Sequence, residues 1–470
     1  MEIIENKRGI FEVFKYTSLF LLVTFLLACS GPRNRRQVDQ QENDREPVAI
    51  VGQDTISLYQ FKESYQTAIM RTSVNDNLEN RKHHLYKMAE GYLMAQAAKQ
   101  DNLDTIPQFQ YRKNMFERKA MRDYMFENIG ANIDIDKTKL KEAFRRSRQS
   151  RLVRHLFSRR KEEIDKMYQQ LKSGEFDFRS LAQQSFSDSA LRNNGGLLGW
   201  INWGDTGLKF ENAVYNLESG QISKPFQSMY GWHIVKVEKI KREILPTSQD
   251  YKEFVAKNRK KLERIYKEEK LAEYLNNFMK EQNLKLNIPL LRTISQKLKP
   301  KYKNYFLGQN QNFNKLPPQN VESLVLELDE ILDQTLVNYK NGQWKVRDYI
   351  KRLPELPAQF ILTDIEKTVA LALRNDLLAE QGREKGINNK TEVQDRVQLR
   401  SYEILSHLKS RQLLDSIPYE KRLNWTDEDA RLYRIQQWRH KKNEFIEQQK
   451  KKVPINFYYD KLENLYSDLQ

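Results

Sequence analysis

Apolar residues recur at helical spacing along much of the chain. Leu85, Met88, Tyr92 and Ala95 form one stripe, and Met115, Ala120, Tyr124 and Phe126 a second, less regular one. Leu262, Ile265, Tyr266, Leu275, Phe278 and Met279 mark the buried side of a long amphipathic helix across 251–282. Core packing is the simplest use of such Met and Tyr stripes. Strand-like runs are short. Val48 to Val51 is one, followed by a turn at Gly52–Asp54 and by Ser57, an N-cap before the helical residues Tyr59, Phe61 and Tyr65.

At Ser150 the pattern changes. RLVRHLF (151–157) reads as a strand, and KEEIDKMYQQLKSGEFDFRSLAQQ (161–184) as a helix stopped at Gly174 and then a second short helix. FSDSALRNNGGLLGW (186–200) places Gly195, Gly196 and Gly199 within five residues of a chain that has 17 glycines in all. KFENAVYNLESGQ (209–221) predicts another helix with Gly220 as its stop, and HIVKVEKI (233–240) a closing strand. Strand, helix, loop, helix and strand make one small α+β domain over 150–240.

Beyond it, LKLNIP (284–289) predicts an extended piece broken by Pro289, and 291–330 reads as a connecting segment containing the loop GQNQNFNKLPPQN. NYKNGQWKVRDYI (338–350) then repeats the order of VGQDTISLYQF (51–61): a glycine turn, an extended dipeptide and an aromatic residue opening a helix. EQNLKLNIP is echoed by KKKVPINF (450–457). The order of elements predicts a degenerate internal repeat whose second copy lacks the α+β insert. The expected domains are a helical module at 47–149, the α+β domain at 150–240, a long helix at 241–290 completing the first module, the connector at 291–330, and a second helical module at 331–470.

Charge and cysteine place the chain in the cell. The formal net charge of +17 calls for an acidic partner: nucleic acid, anionic lipid or acidic protein surfaces. Lys7, Arg8 and Lys15 precede the apolar run Leu19–Ala28, which is too short for a comfortable membrane span and predicts a signal peptide at 1–28. Residues 29–46 are nearly free of apolar side chains and read as a flexible tether. The lone Cys29 has no disulfide partner. The LLAC sequence that ends in it resembles the lipobox of bacterial lipoproteins. That resemblance implies lipidation of Cys29, and Ser30 after it points to the outer membrane. An exported chain has no nucleic acid to bind. His83, His84, His407 and His440 lack the neighbours of a metal site, and no phosphate loop or Ser/His/Asp set occurs, so neither metal nor cofactor is expected.

The blocks HLF at His155, FSDS at Phe186, GGLLGW at Gly195, FENAV at Phe210 and KPFQSMYGWHIVKV at Lys224 together resemble the parvulin family of peptidyl-prolyl isomerases. The helices around them are similar to those of SurA-type and PrsA-type extracytoplasmic chaperones. The resemblance implies an α+β fold: mainly helical chaperone modules with one inserted parvulin domain, a small antiparallel sheet wrapped by helices. It implies a catalytic group of His155, His233, Ser189 and Ser228. The two histidines lie side by side and each sets the other's tautomer through a ring hydrogen bond, unless the pair serves only to stiffen the fold. Ser189 polarises the amide or is a plain turn residue. Leu198, Thr206, Phe210 and Tyr230 are the implied substrate wall. Leu197 replaces an aspartate common in the family, and Thr206 a methionine that lines the proline cup. The expected function is a lipid-anchored isomerase and chaperone for unfolded or partly folded exported proteins with X-Pro bonds, facing the periplasm. The alternative is a non-catalytic chaperone or assembly factor that uses the parvulin domain as a client clamp.

Overall fold

The computed structural model describes residues 45–71, 75–131, 133–186, 188–228, 230–243, 247–307, 325–356, 361, 364–463 and 465, the side chains of 301–307 excepted. The expected signal peptide and most of the tether, with Cys29, lie outside the described residues, as do 308–324 of the connector. The chain divides into two units. One contains Phe126–Leu286 and Val337–Gln343, and the other takes the remaining described residues.

The second unit opens with the hairpin β1 (Pro47–Val51) and β2 (Asp54–Ser57), then α1 (Leu58–Arg71), α2 (Leu78–Gln100) and α3 (Pro107–Ile129), within which the division falls. Asn77 caps α2 by accepting the Asn80 N–H at 2.8 Å. The stripe Leu85, Met88, Tyr92 and Ala95 is buried in one cluster with Ile56, Phe61, Tyr402 and Leu405. Burial of such a stripe, more than helix propensity, holds a surface helix in place.

The first unit runs through α4 (Lys137–Ser147), β3 (Gln149–Ser158), α5 (Lys161–Ser173), α6 (Phe178–Ser185), α7 (Ser189–Asn193), β4 (Leu197–Ile201), α8 (Leu208–Tyr215), β5 (Phe226–Ser228), β6 (Gly231–Arg242) and α9 (Ser248–Glu281). Its four strands form an antiparallel sheet in the order β4-β3-β6-β5. Gly174 at φ +75° stops α5 where the sequence predicts. Gly220 does not stop α8, which ends at Tyr215 with Asn216 as its cap. Gly220 instead turns the chain back, its N–H donating to the Val237 carbonyl at 2.7 Å.

Strand alternation sorts the central residues onto two faces. Leu156 and Ile234 face Ile164, Phe178 and Leu181 on one side. Val153, Val235 and Val237 pack with Phe210 and Val214 on the other. His155 and His233 share the period of this second set, so both point to the α8 side.

β7 (Lys285–Leu286) leads into α10 (Ile288–Leu307). Pro289 therefore opens a helix where the sequence predicted a break, because a first-turn proline gives up no intrahelical hydrogen bond. The hairpin β8 (Thr335–Tyr339) and β9 (Gly342–Lys345) feeds α11 (Val346–Ile350), and α12 (Ile365–Glu384), α13 (Thr391–Asp415), α14 (Asp427–Lys452) and β10 (Ile455–Phe457) follow. The pairing is crossed. β7, which follows α9, pairs with β8 through Leu286↔Val337, and β10, which follows α14, pairs with β1 through Val51↔Ile455.

Candidate functional site

In the β3–β6 register His155 lies opposite Val235, and His233 opposite Phe157. The two histidines are thus diagonal neighbours on one face. Their rings stack nearly parallel, with centroids 6.0 Å apart and planes 21° apart. They are 8% and 5% exposed. Four phenylalanines enclose them. Phe186 stacks on His155 at 5.0 Å and Phe226 on His233 at 5.4 Å. Phe157 tilts against His233 at 5.2 Å, and Phe210 stands edge-on to His155 at 6.3 Å and to His233 at 5.4 Å.

The ring-to-ring hydrogen bond expected of the pair is not formed. Stacked rings present faces to each other, while both nitrogens of His155 and the Nδ1 of His233 are buried without a protein partner. His233 is held instead by Ser228, whose Oγ lies 2.7 Å from Nε2 and also accepts the Tyr230 N–H at 3.0 Å.

Burial, with the charge of His233 second, pushes His155 down from its ordinary 6.5 to about 3. Burial alone takes His233 to about 4. Both are neutral at neutral pH. An unfolded chain takes up protons on these histidines below its ordinary pKa, and the folded site refuses them. Their contribution to stability is whole above pH 6.5 and is lost as pH falls toward 4 and 3. The slope approaches about 1.4 kcal/mol per pH unit for each ring. Urea melts between pH 7 and 4.5 should give a shallower pH slope for His155→Leu than for the unaltered chain. An unchanged slope would remove His155 from the account.

The other expected site residues are spread more widely. Ser189 is exposed at the first residue of α7, just after its cap Asp188, and its hydroxyl has no hydrogen bond within the described residues. Leu198 is half-buried against the Val153–Phe210 cluster. Thr206, in the loop between β4 and α8, has a buried hydroxyl without a protein partner. Tyr230 is half-buried, and burial, aided by the charge of Glu268, pushes its phenol up to about 12. Phe210 is 8% exposed and belongs to the core as well as to the histidine site.

The glycine run is a backbone requirement of this site. Gly196 holds φ +73°, its carbonyl accepts the His155 N–H at 2.9 Å, and a Cβ there would stand 2.3 Å from the His155 carbonyl oxygen. Only a residue without a side chain lets β4 close on β3 at the histidine. Phe157, Phe186 and Phe226 were missed as ring walls. The first follows His155 by two residues on the same strand face, and alternation alone could have included it.

One face of the antiparallel sheet thus carries a buried, stacked histidine pair, a glycine approach at Gly196 and Phe210 from the following helix. The PPIC-type PPIASE domain, or rotamase, matches residues 157–239, so the chain carries a domain of that type in a PrsA- and SurA-like protein. The chain is 27% identical over 214 residues to the foldase protein PrsA of Oceanobacillus iheyensis, covering 45% of this chain and 69% of that one. It is 35% identical over 118 residues to the chaperone SurA of Nitrosococcus oceani, 25% of this chain and 26% of that one. Among solved structures, the PrsA isomerase of Bacillus anthracis aligns with 41% of this chain and 96% of its own at 22% identity and a TM-score of 0.24.

Proposed function

We propose that the chain is an extracytoplasmic peptidyl-prolyl isomerase and chaperone acting on X-Pro bonds of unfolded or partly folded exported proteins, held by lipid on Cys29 at the outer membrane and facing the periplasm. The observation that carries the isomerase reading is the pair of buried, stacked imidazoles enclosed by Phe157, Phe186, Phe210 and Phe226.

Rotation about the prolyl amide passes through a twisted state that has lost its resonance, behind a barrier of about 18–20 kcal/mol. No bond to the substrate has to form. Catalysis needs a site that binds the twisted amide better than the planar one. Apolar walls receive the proline ring and exclude water, which would favour the polar planar amide. Phe210 and Leu198 supply that surface. The histidines are uncharged, and His233, tied through Ser228 to the β5–β6 turn, helps to keep the floor rigid. Thr206 adds a hydroxyl to the wall, making this cup more polar than one lined by methionine. The long helical segments and the positive net charge suit weak, multivalent holding of client chains.

The test is a proline-limited peptide assay on the full chain. The expected result is isomerisation faster than in buffer, with a rate that depends on the residue before proline. A rate equal to buffer from a chain folded by circular dichroism would leave only the clamp.

A further inference from the structure

Glu211 follows Phe210 on α8 and is 3% exposed. A helix turns by about 100° per residue, so Glu211 looks away from the histidines that Phe210 faces. Its Oε2 accepts the Gly204 N–H at 2.6 Å. Its Oε1 lies 3.5 Å from Nη1 of Arg146, a buried residue of α4. Arg146 also donates to Asn212 Oδ1 at 2.7 Å and to Glu142 at 2.8 Å.

The loop reached through Gly204 is held from a second side. Gly204 has φ +80°, and a Cβ there would stand 2.5 Å from the Lys261 Nζ of α9. That ammonium lies over the Trp203 ring, 4.5 Å from its centroid. Trp203 itself is buried with Leu140 of α4 and Phe254 of α9. The segment that carries Thr206 and leads into Phe210 is therefore fastened to two helices that lie outside the matched residues 157–239.

A buried ion pair adds little net stability, because desolvation offsets the attraction, but it holds one geometry. We propose that Glu211 is a positioning residue for prolyl isomerisation: with Arg146 it clamps the 203–206 loop to α4 and so fixes the wall made by Thr206 and Phe210. This rests on the histidine–phenylalanine cluster being the proline site. The flanking helices then help to set the turnover of the isomerase domain.

The experiment compares variants of the full chain in the proline-limited peptide assay, well below their melting temperatures. Glu211→Ala is expected to lower kcat/KM about tenfold, as misplaced site walls do. Hydrogen exchange of the Gly204 amide should quicken in the same variant. Arg146→Met should lose activity and Arg146→Lys should recover most of it. Glu211→Gln, which keeps an acceptor for Gly204, should lose less than Glu211→Ala, and it carries the comparison if the alanine variant does not fold. Leu181→Val, a core change on the opposite face of the sheet, should lose stability without losing kcat/KM. Full activity in Glu211→Gln and Arg146→Met would overturn the positioning role and leave the site standing. An inactive but folded unaltered chain would overturn both.

Discussion

Gly196→Ala is expected to cost the isomerase domain about 4 kcal/mol or more of stability, beyond the range of ordinary substitutions. Two penalties add. A side chain at φ +73° costs about 1–2 kcal/mol by itself. The added Cβ would also meet the His155 carbonyl oxygen at 2.3 Å, and that oxygen belongs to the backbone of the central strand, so no rotamer change relieves it. Relief has to come from parting β4 and β3, which breaks the 2.9 Å bond from the His155 N–H to the Gly196 carbonyl. Gly174→Ala is the matched control: φ is +75°, with nothing within 4 Å of the added Cβ. It should cost only the conformational part, about 1–2 kcal/mol. Scanning calorimetry of both variants checks this, and equal losses would show that the close approach at His155 carries no energy.

Phe210→Ala is expected to lose both isomerase activity and stability. Truncating a buried phenylalanine costs about 3–5 kcal/mol, and Phe210 packs with Val153, Val214, Val235 and Val237. The same ring stands edge-on to both histidines and 5.7 Å from Phe226. If it also covers the substrate's proline ring, its loss removes a few kcal/mol of binding to the twisted amide, about a 30-fold or larger fall in kcat/KM. Phe210→Leu separates the two effects. It keeps most of the core volume and should melt near the unaltered chain, yet it removes the edge-on aromatic contact and should still lose activity several-fold. Full activity in a stable Phe210→Leu chain would make the ring a core residue only.

Much of this was legible because it is local. Alternation groups His155 with Val153 and Phe157 along one strand and His233 with Val235 and Val237 along another, since a strand's side-chain period is two, and the resemblance to parvulins implied that the two histidines lie side by side. The stripe from Leu85 to Ala95 marks a buried helix face, and the clustered glycines mark a tight backbone approach, because both follow from the geometry of a few neighbouring residues. What the chain could not announce is register between distant segments. The pairing of His155 with Val235 decided that the imidazoles stack instead of sharing a hydrogen bond. The Glu211–Arg146 pair joins residues 65 apart, β7 with β8 joins Leu286 to Val337, and β10 with β1 joins Ile455 to Val51. Contacts of this kind depend on which apolar faces find each other when the whole chain collapses, and a local pattern carries only the face, never its partner.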